Sequence, residues 1–290
     1  MRHYYHMLLA MALSGLFACN ELPQTEGQAQ VDVQQDADSV ALAQAIANYQ
    51  VDSAQAFMQL LFGNPKFNIR SIGILVYDGV NDLDVTGPLY VLGQSMGAQT
   101  RLIGVDRGAI TTVSGASWLP QTSIDSVNAL DVLIVPGGLQ GTIALMKDDK
   151  VLRWIQKIEQ TSVFTAGVCT GGWVLGAAGL LKNKKASTHW YKKEEMLTRF
   201  GAKPVQARFV QDGKYWTSAG VTAGMDMSLA MMQAVYGDRY AQAIMLDMEY
   251  DPAPPITGGT PEKTHFAVRW MMQNMYDASA LPLLDSLKAQ

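Results

Sequence analysis

A glycine-flanked cysteine is the residue in this sequence best suited to nucleophilic chemistry. Cys169 lies in residues 167–172 (GVCTGG), between a β-branched apolar stretch and a small-residue apolar segment typical of a helix. The pattern predicts a nucleophile elbow, a tight strand-to-helix turn that glycines permit and that presents one side chain at its apex. The start of the following helix would lower the pKa of the thiol and stabilise developing negative charge. We therefore expect a reactive thiolate at Cys169.

The chain contains two cysteines, and the other one is predicted to carry a lipid. Residues 1–18 have a weakly basic start and an apolar core too short to span a bilayer, as signal peptides do. The sequence LFAC at residues 16–19 resembles a bacterial lipobox, which predicts Cys19 as the lipidated first residue of the mature protein. An ordinary secretory signal cleaved near Ala18 and a retained hydrophobic N-terminus are the alternatives. In each case one thiol, Cys169, remains in the mature domain without an intrachain disulfide partner.

This reading of the N-terminus predicts a bacterial cell-envelope protein that faces the periplasm. The membrane would be a partner only through the lipid anchor on Cys19. If the signal is an ordinary one, the protein would instead be secreted to the periplasm.

Composition and motif content narrow the class of protein. Of the 290 residues, 48% are apolar and 17% charged, with a net charge of −4, which suits one sizeable globular core. The sequence has no Lys/Arg-rich stripe, which argues against nucleic acid as a partner. It also lacks cysteine and histidine clusters with zinc spacing, Walker loops and a dinucleotide fingerprint after the first strand. We expect a protein without metal or cofactor that acts on a small-molecule substrate.

The chain is predicted to contain five successive segments. The signal peptide of residues 1–18 precedes a polar tether at residues 19–38, which has too few large apolar side chains to order itself. Apolar spacing at residues 39–65 predicts a helical extension. The main domain is expected at residues 66–263 and a helical tail at residues 264–290.

The main domain alternates β-branched runs with helical patterns. Strands are predicted at residues 69–77, 100–105, 132–135, 163–166 and 216–219, and helices at 87–96, 148–160, 170–180 and 222–236. Such alternation predicts an α/β fold, a doubly wound (flavodoxin-like), mostly parallel sheet sandwiched by helices. Ligands of such folds bind outside the carboxyl ends of the strands. The loops at residues 79–88, 136–138 and 188–190 are therefore expected near Cys169.

These motifs, taken in order, carry a resemblance to a known family. The matching segments are LDVTGP (83–88), PGG (136–138), GVCTG (167–171), THW (188–190), SAGVTAG (218–224) and DPAPP (251–255). Over residues 68–263 the sequence resembles the ThiJ/PfpI superfamily, relatives of the class I glutamine amidotransferases. Within it, the isonitrile (isocyanide) hydratase subgroup is most similar. Sensor domains of AraC-type regulators share much of this set, and members of the superfamily commonly form homodimers, which is the expected assembly here.

The resemblance implies a cysteine-dependent lyase reaction. The Cys169 thiolate would add to the isonitrile carbon, and water would convert the resulting thioimidate to an N-formamide. Asp84, preferred over Asp82, would hydrogen-bond the sulfur and move a proton, which requires a raised pKa beside the thiolate. The backbone N–H groups of Gly138 and Thr170 would hold developing negative charge, and the Thr170 hydroxyl would position the attacking water.

Two further residues, Gly137 and His189, are candidates for lining the substrate site. Each assignment has a structural alternative. Cys169 would then be a small buried hydrophobe, Asp84 a helix N-cap, the PGG segment a simple turn, and His189 a structural residue.

Two other functions also remain open. One is a related thiol enzyme acting on glyoxal-type carbonyls or glycated groups, which usually has glutamate and histidine beside the thiol. The other is a non-catalytic lipoprotein that senses a ligand or an oxidant through Cys169.

Overall fold

A seven-stranded sheet forms the centre of the fold. The computed structural model describes residues 37–50 and 54–286. The strands of this sheet are β1 (Ser71–Val76), β2 (Gln99–Gly104), β5 (Thr122–Ser123), β6 (Val132–Val135), β7 (Phe164–Val168), β10 (Phe209–Asp212) and β11 (Tyr215–Ser218). Their spatial order is β10-β11-β7-β6-β1-β2-β5. All neighbours pair in parallel except β10 and β11, which form an antiparallel hairpin.

Two small sheets and ten α-helices complete the described part of the chain. The small sheets pair β3 (Ile110–Thr111) with β4 (Ser117–Trp118) and β8 (Lys185–Ala186) with β9 (Lys203–Pro204). The helices are α1 (Ala37–Ala47), α2 (Ala54–Phe62), α3 (Asp82–Gly93), α4 (Gln140–Leu145), α5 (Asp149–Glu159), α6 (Gly171–Ala177), α7 (Lys193–Arg199), α8 (Ala223–Tyr236), α9 (Asp238–Asp247) and α10 (Phe266–Asp285). None of the helices within residues 37–50 and 54–286 is both long and apolar enough to cross a membrane.

The central strands are buried on both faces. Every residue of β6 and β7 is buried, as are all but the first residue of β1. Continuous apolar runs of this kind are typical of parallel strands covered by helices on both sides. The predicted doubly wound, mostly parallel sheet is thus confirmed.

Helix α3 begins earlier than the sequence pattern predicts. The expected start was residue 87, but the Asn81 side chain caps the helix by accepting hydrogen bonds from the N–H groups of Leu83 and Asp84. The helix therefore begins at Asp82, and Asp84 lies within its first turn. The alternative in which Asp84 is the N-cap is wrong, because Asn81 fills that role.

The described chain divides into two units at Gly63 and Asn64. In the first unit, α1 and α2 are the only described helices, and the rings of Tyr49 and Phe57 meet edge to face at 5.3 Å. All remaining elements belong to the second unit. The signal peptide, Cys19 and most of the tether lie outside the described residues, so these expectations stay predictions.

Candidate active site

Cys169 occupies a strand-to-helix elbow between β7 and α6. Its backbone is left-handed, with φ of +57°. The Cys169 N–H donates to the carbonyl of Ser218 at 3.2 Å, and the Thr188 hydroxyl donates to the Cys169 carbonyl at 2.5 Å. A Cβ atom on Gly171 would lie 1.9 Å from the Val135 carbonyl oxygen, so only glycine allows the turn to pack against β6. The glycine pattern in the sequence thus reflects a real packing constraint.

The state of the thiol differs from the sequence-based expectation. Only 7% of Cys169 is exposed. Burial raises the pKa of the Cys169 thiol well above its usual range, and the adjacent Asp84 carboxylate raises it further. The backbone N–H of Thr170 opposes this rise without overcoming it. The expected low pKa at the helix start is therefore wrong for this structure, because desolvation outweighs the donors of a seven-residue helix.

Asp84 is the ionisable partner of the thiol. It is fully buried, and its Oδ2 accepts a hydrogen bond from the Gly137 N–H at 2.9 Å. Its Oδ1 has no hydrogen-bond partner within the described ranges. Burial raises the pKa of Asp84 and outweighs the opposing effects of the Gly137 N–H and the Cys169 thiol, so that the pKa is about 7. The direction expected from the sequence is correct, but burial is its main cause.

The protonation states of Asp84 and Cys169 depend on each other. Two adjacent negative charges are unfavourable in a buried site, so the pair retains at least one proton. Since the pKa of Cys169 lies well above that of Asp84, the retained proton resides on sulfur. Asp84 is then the group that gains or loses a proton near pH 7. In its ionised form it is a base beside a protonated thiol.

A buried chain of hydroxyl groups holds Thr170 in place. Tyr77 donates to the Pro136 carbonyl at 2.7 Å and lies 3.2 Å from Thr142 Oγ1. Thr142 Oγ1 lies 2.9 Å from Thr170 Oγ1, which accepts the Gly138 N–H at 3.1 Å. Because Tyr77 uses its single proton on Pro136, Thr142 donates to Tyr77 and Thr170 donates to Thr142. Thr170 Oγ1 keeps one lone pair available for a proton of a bound water.

The PGG loop is more than a connecting turn. A Cβ atom on Gly137 would lie 2.7 Å from both Asp84 Oδ2 and Thr170 Oγ1. A Cβ atom on Gly138 would lie 2.1 Å from the Gly79 carbonyl oxygen. The backbone of the PGG loop therefore packs directly against the side chains of Asp84 and Thr170. The Gly138 N–H already donates a hydrogen bond to Thr170 Oγ1. Its expected role, to donate to negative charge that develops on the substrate, stays a prediction, and it requires that the bond to Thr170 breaks.

His189 lies beside the site without pairing with the thiol. Its ring is 8% exposed, and its Nδ1 has no partner within the described part of the chain. Burial and, to a smaller extent, the Lys193 ammonium lower the pKa of His189 to about 4, so the ring is neutral at pH 7. Its ring packs against Trp190 at 5.5 Å and against Tyr276 at 5.4 Å. This geometry favours the structural alternative for His189 over a Cys-His pair.

Three residues near the site do not stand out in the sequence. Thr142 and Tyr77 belong to the hydroxyl chain, and they lie four and two residues, respectively, from a predicted site loop. A polar side chain placed next to such a loop is the signal that identifies them. Tyr276 lies on α10, more than a hundred residues from Cys169 in sequence, and no local pattern indicates its proximity.

Comparisons with known proteins agree with this geometry. The DJ-1/PfpI family model matches residues 70–234. The chain is 40% identical over 197 residues to the isonitrile hydratase of Pseudomonas putida, covering 68% of this chain and 86% of that protein. It is 28% identical over 184 residues to the HTH-type transcriptional regulator GbdR of Pseudomonas aeruginosa, covering 61% of this chain and 50% of the regulator.

A solved structure supports the same assignment. The crystal structure of a ThiJ/PfpI family protein from Pseudomonas syringae superposes with a TM-score of 0.72 at 34% identity, covering 76% of this chain and 91% of that chain. The fold, the cysteine elbow and these similarities agree with one another. The chain belongs to the DJ-1/PfpI family.

Proposed function

We propose that this protein is a cofactor-free hydratase that converts an isonitrile and water to an N-formamide. The observation that carries the proposal is the buried pair of Asp84 and Cys169, in which each group shifts the pKa of the other. One oxygen of the Asp84 carboxylate has no hydrogen-bond partner among residues 37–50 and 54–286. The similarity to an isonitrile hydratase supports the same reaction. The pair supplies a nucleophile and a proton carrier, and both are needed to add H–S across an isonitrile carbon.

The first step forms the carbon–sulfur bond. Ionised Asp84 takes the thiol proton as the Cys169 sulfur attacks the terminal carbon of R–N≡C. Asp84 then gives the same proton to that carbon, which yields the thioimidate R–N=CH–S on Cys169. This order avoids a free thiolate in the resting enzyme, in agreement with the raised pKa of Cys169.

The second step consumes one water molecule. Water adds its oxygen to the thioimidate carbon, and its proton reaches the nitrogen, which gives R–NH–CH(OH)–S on Cys169. The carbon–sulfur bond then breaks, and the hydroxyl proton returns through Asp84 to sulfur, releasing R–NH–CHO. The remaining lone pair of Thr170 Oγ1 is suited to orient the attacking water.

The shape of the site favours a narrow reacting group. Cys169 is almost fully buried, and Asp84 is fully buried. The C≡N end of an isonitrile is linear and slim, whereas a glycated amine or a branched carbonyl is much wider at its reacting carbon. The site also has aspartate where carbonyl-directed relatives have glutamate, and His189 does not pair with the thiol.

Turnover of a small alkyl isonitrile tests the proposal. We expect N-formamide formation by the purified protein, loss of product with Cys169→Ala, and loss of product with Asp84→Asn. Asp82→Asn is the matched control, since Asp82 bonds Ser114 on the loop outside the thiol pair. A folded protein that consumes methylglyoxal but no isonitrile would replace this proposal with the carbonyl-directed enzyme. Absence of both activities together with rapid, stoichiometric oxidation of Cys169 would favour the sensor.

We also propose that the protein is anchored in the cell envelope through lipidated Cys19 and acts as a homodimer. The lipobox-like sequence supports the anchor. Homodimers are common in the superfamily that this chain resembles, which supports the dimer. Metabolic labelling with a fatty acid analogue tests the first point, with Cys19→Ala as control. Sedimentation of the purified protein tests the second, and a monomer at micromolar concentration would argue against it.

A further inference from the structure

The Thr188 hydroxyl holds the peptide group that joins Cys169 to Thr170. Thr188 is fully buried, and its Oγ1 donates to the Cys169 carbonyl oxygen at 2.5 Å. The Gly172 N–H reaches the same oxygen at 3.4 Å, so the hydroxyl makes the shorter of the two contacts. Thr188 therefore fixes the direction of this carbonyl within the elbow.

Strand β11 in turn fixes the segment that contains Thr188. The Ser187 N–H donates to Thr217 Oγ1 at 2.9 Å, and both residues are buried. Thr217 is followed in β11 by Ser218, whose carbonyl accepts the Cys169 N–H at 3.2 Å. The same strand thus anchors the N–H of the nucleophile and the segment that holds its carbonyl.

The held carbonyl sets the direction of the Thr170 N–H. Because the peptide bond is planar and trans, the Cys169 carbonyl and the Thr170 N–H point in opposite directions. The carbonyl points to Thr188, so the N–H points to the other side of the peptide group. A Cβ atom on Gly137 would lie 2.8 Å from Thr170 N and 2.7 Å from Asp84 Oδ2, which places both atoms around one point on that side. There the Thr170 N–H opposes the rise in the pKa of Cys169 that burial causes.

The backbone conformation of Cys169 depends on such contacts. Its φ of +57° is left-handed, which is unfavourable for a residue with a Cβ atom and persists only where the surrounding structure holds it. Without the Thr188 hydroxyl, the peptide group would keep only the longer contact from Gly172 at this oxygen. The group could then rotate, and the Thr170 N–H would turn away from the sulfur.

We propose that Thr188 is a positioning residue for the reaction, which acts through this peptide group by aiming the Thr170 N–H at the Cys169 sulfur. This inference rests on the proposed function. Negative charge develops on sulfur when Asp84 takes the thiol proton, and again when the carbon–sulfur bond breaks. A donor that is already aimed at the sulfur stabilises the charge at both points without reorganisation.

Thr188→Val removes the hydroxyl and keeps the shape of the side chain. We expect kcat for an alkyl isonitrile to fall about 10-fold with KM within about 2-fold of the parent value, since the donor acts on charge that develops during the reaction. Thr188→Ser keeps a hydroxyl donor and should retain most of the activity. Ser187→Ala is the matched control, because it also removes a buried hydroxyl that donates to a backbone carbonyl, that of Ala207 at 2.7 Å. We expect its kcat to stay within about 2-fold of the parent value.

Alkylation of Cys169 by iodoacetamide between pH 7 and pH 10 tests the inference without an isonitrile. Thr188→Val should react about 3- to 10-fold more slowly than the parent at pH 8 and approach the parent rate at high pH, because its thiolate has lost an aimed donor. Thr188→Ser and Ser187→Ala should follow the parent profile. The ionisable groups around the sulfur are the same in all four proteins: Asp84, Tyr77, His189 and Tyr276.

The two measurements separate this inference from the proposed function. If the parent lacks isonitrile turnover but the alkylation profile of Thr188→Val shifts as expected, the proposed function fails and Thr188 remains the residue that aims the Thr170 N–H. An unchanged profile for folded Thr188→Val would overturn the inference, whether or not turnover falls. An equal shift in Ser187→Ala would also overturn it, because general loss of packing would then be the cause. If Thr188→Val does not fold, Thr188→Ala removes the same hydroxyl and is judged by the same outcomes.

Discussion

Replacing Asp84 with asparagine should stabilise the fold at neutral pH while it abolishes turnover. The pKa of Asp84 is raised from 3.8 to about 7 by burial. The folded protein therefore binds this proton more tightly than the unfolded chain. The stabilising effect of protonation is fully present below about pH 4 and is lost as the pH rises through about 7.

The size of the effect follows from the pKa difference. Each pKa unit corresponds to about 1.4 kcal/mol, so ionised Asp84 costs the fold about 4 kcal/mol at pH 8. Asparagine resembles the neutral acid, and its side-chain oxygen can still accept the Gly137 N–H. We expect the stability advantage of Asp84→Asn over the parent to grow by about 2.5 kcal/mol between pH 5 and pH 8.

Urea unfolding at four pH values between 5 and 8 measures this difference. Asp82→Asn is the control without a pH-dependent difference. Slight burial raises the pKa of Asp82, but hydrogen bonds from Thr112 and Ser114 outweigh that rise and leave the pKa lowered. Because Asp82 is therefore ionised throughout this pH range, that variant should differ in stability from the parent by the same amount at every pH. An Asp84→Asn protein that is less stable than the parent by the same amount at every pH would refute the reasoning.

Three further predictions concern the same site. The kcat/KM for an isonitrile should rise with pH and level off above about 7, because Asp84 must be ionised to accept the thiol proton; a flat profile from pH 5 to 8 would contradict this role. Gly137→Ala should lower turnover by at least about 10-fold and destabilise the fold by about 1–3 kcal/mol, since its Cβ would lie 2.7 Å from Asp84 and Thr170, whereas Gly93→Ala, with open space around its Cβ, should do neither. Cys169→Gly should be more stable to urea than Cys169→Ala by about 1 kcal/mol because φ at this position is +57°, and equal stabilities would argue against backbone strain at the elbow.

Local sequence patterns predict the parts of the fold that depend on local physics. Alternating apolar runs are sufficient to predict the parallel sheet, because buried central strands leave a continuous β-branched signal. The GVCTGG segment predicts the elbow because the tight turn at Cys169 requires glycine beside it. The start of α3 was misplaced because Asn81 caps the helix through its side chain, ahead of the apolar pattern used to find it.

Long-range features of the site could not be predicted in this way. The pKa of Cys169 depends on burial by the whole fold, whereas the sequence shows only the nearby helix start, and that local effect proves weaker. The contact of Tyr276 with His189 joins residues 87 positions apart through the packing of α10. No local periodicity encodes such a contact.

Mass spectrometry of acid-quenched enzyme during turnover tests the central claim most directly. We predict that protein mixed with an alkyl isonitrile gains the mass of one isonitrile molecule on the peptide that contains Cys169, and that this adduct disappears as N-formamide accumulates. Cys169→Ala should show neither adduct nor product. N-formamide formation by the Cys169→Ala protein, or an adduct confined to another residue during turnover, would contradict the assignment of Cys169 as the nucleophile.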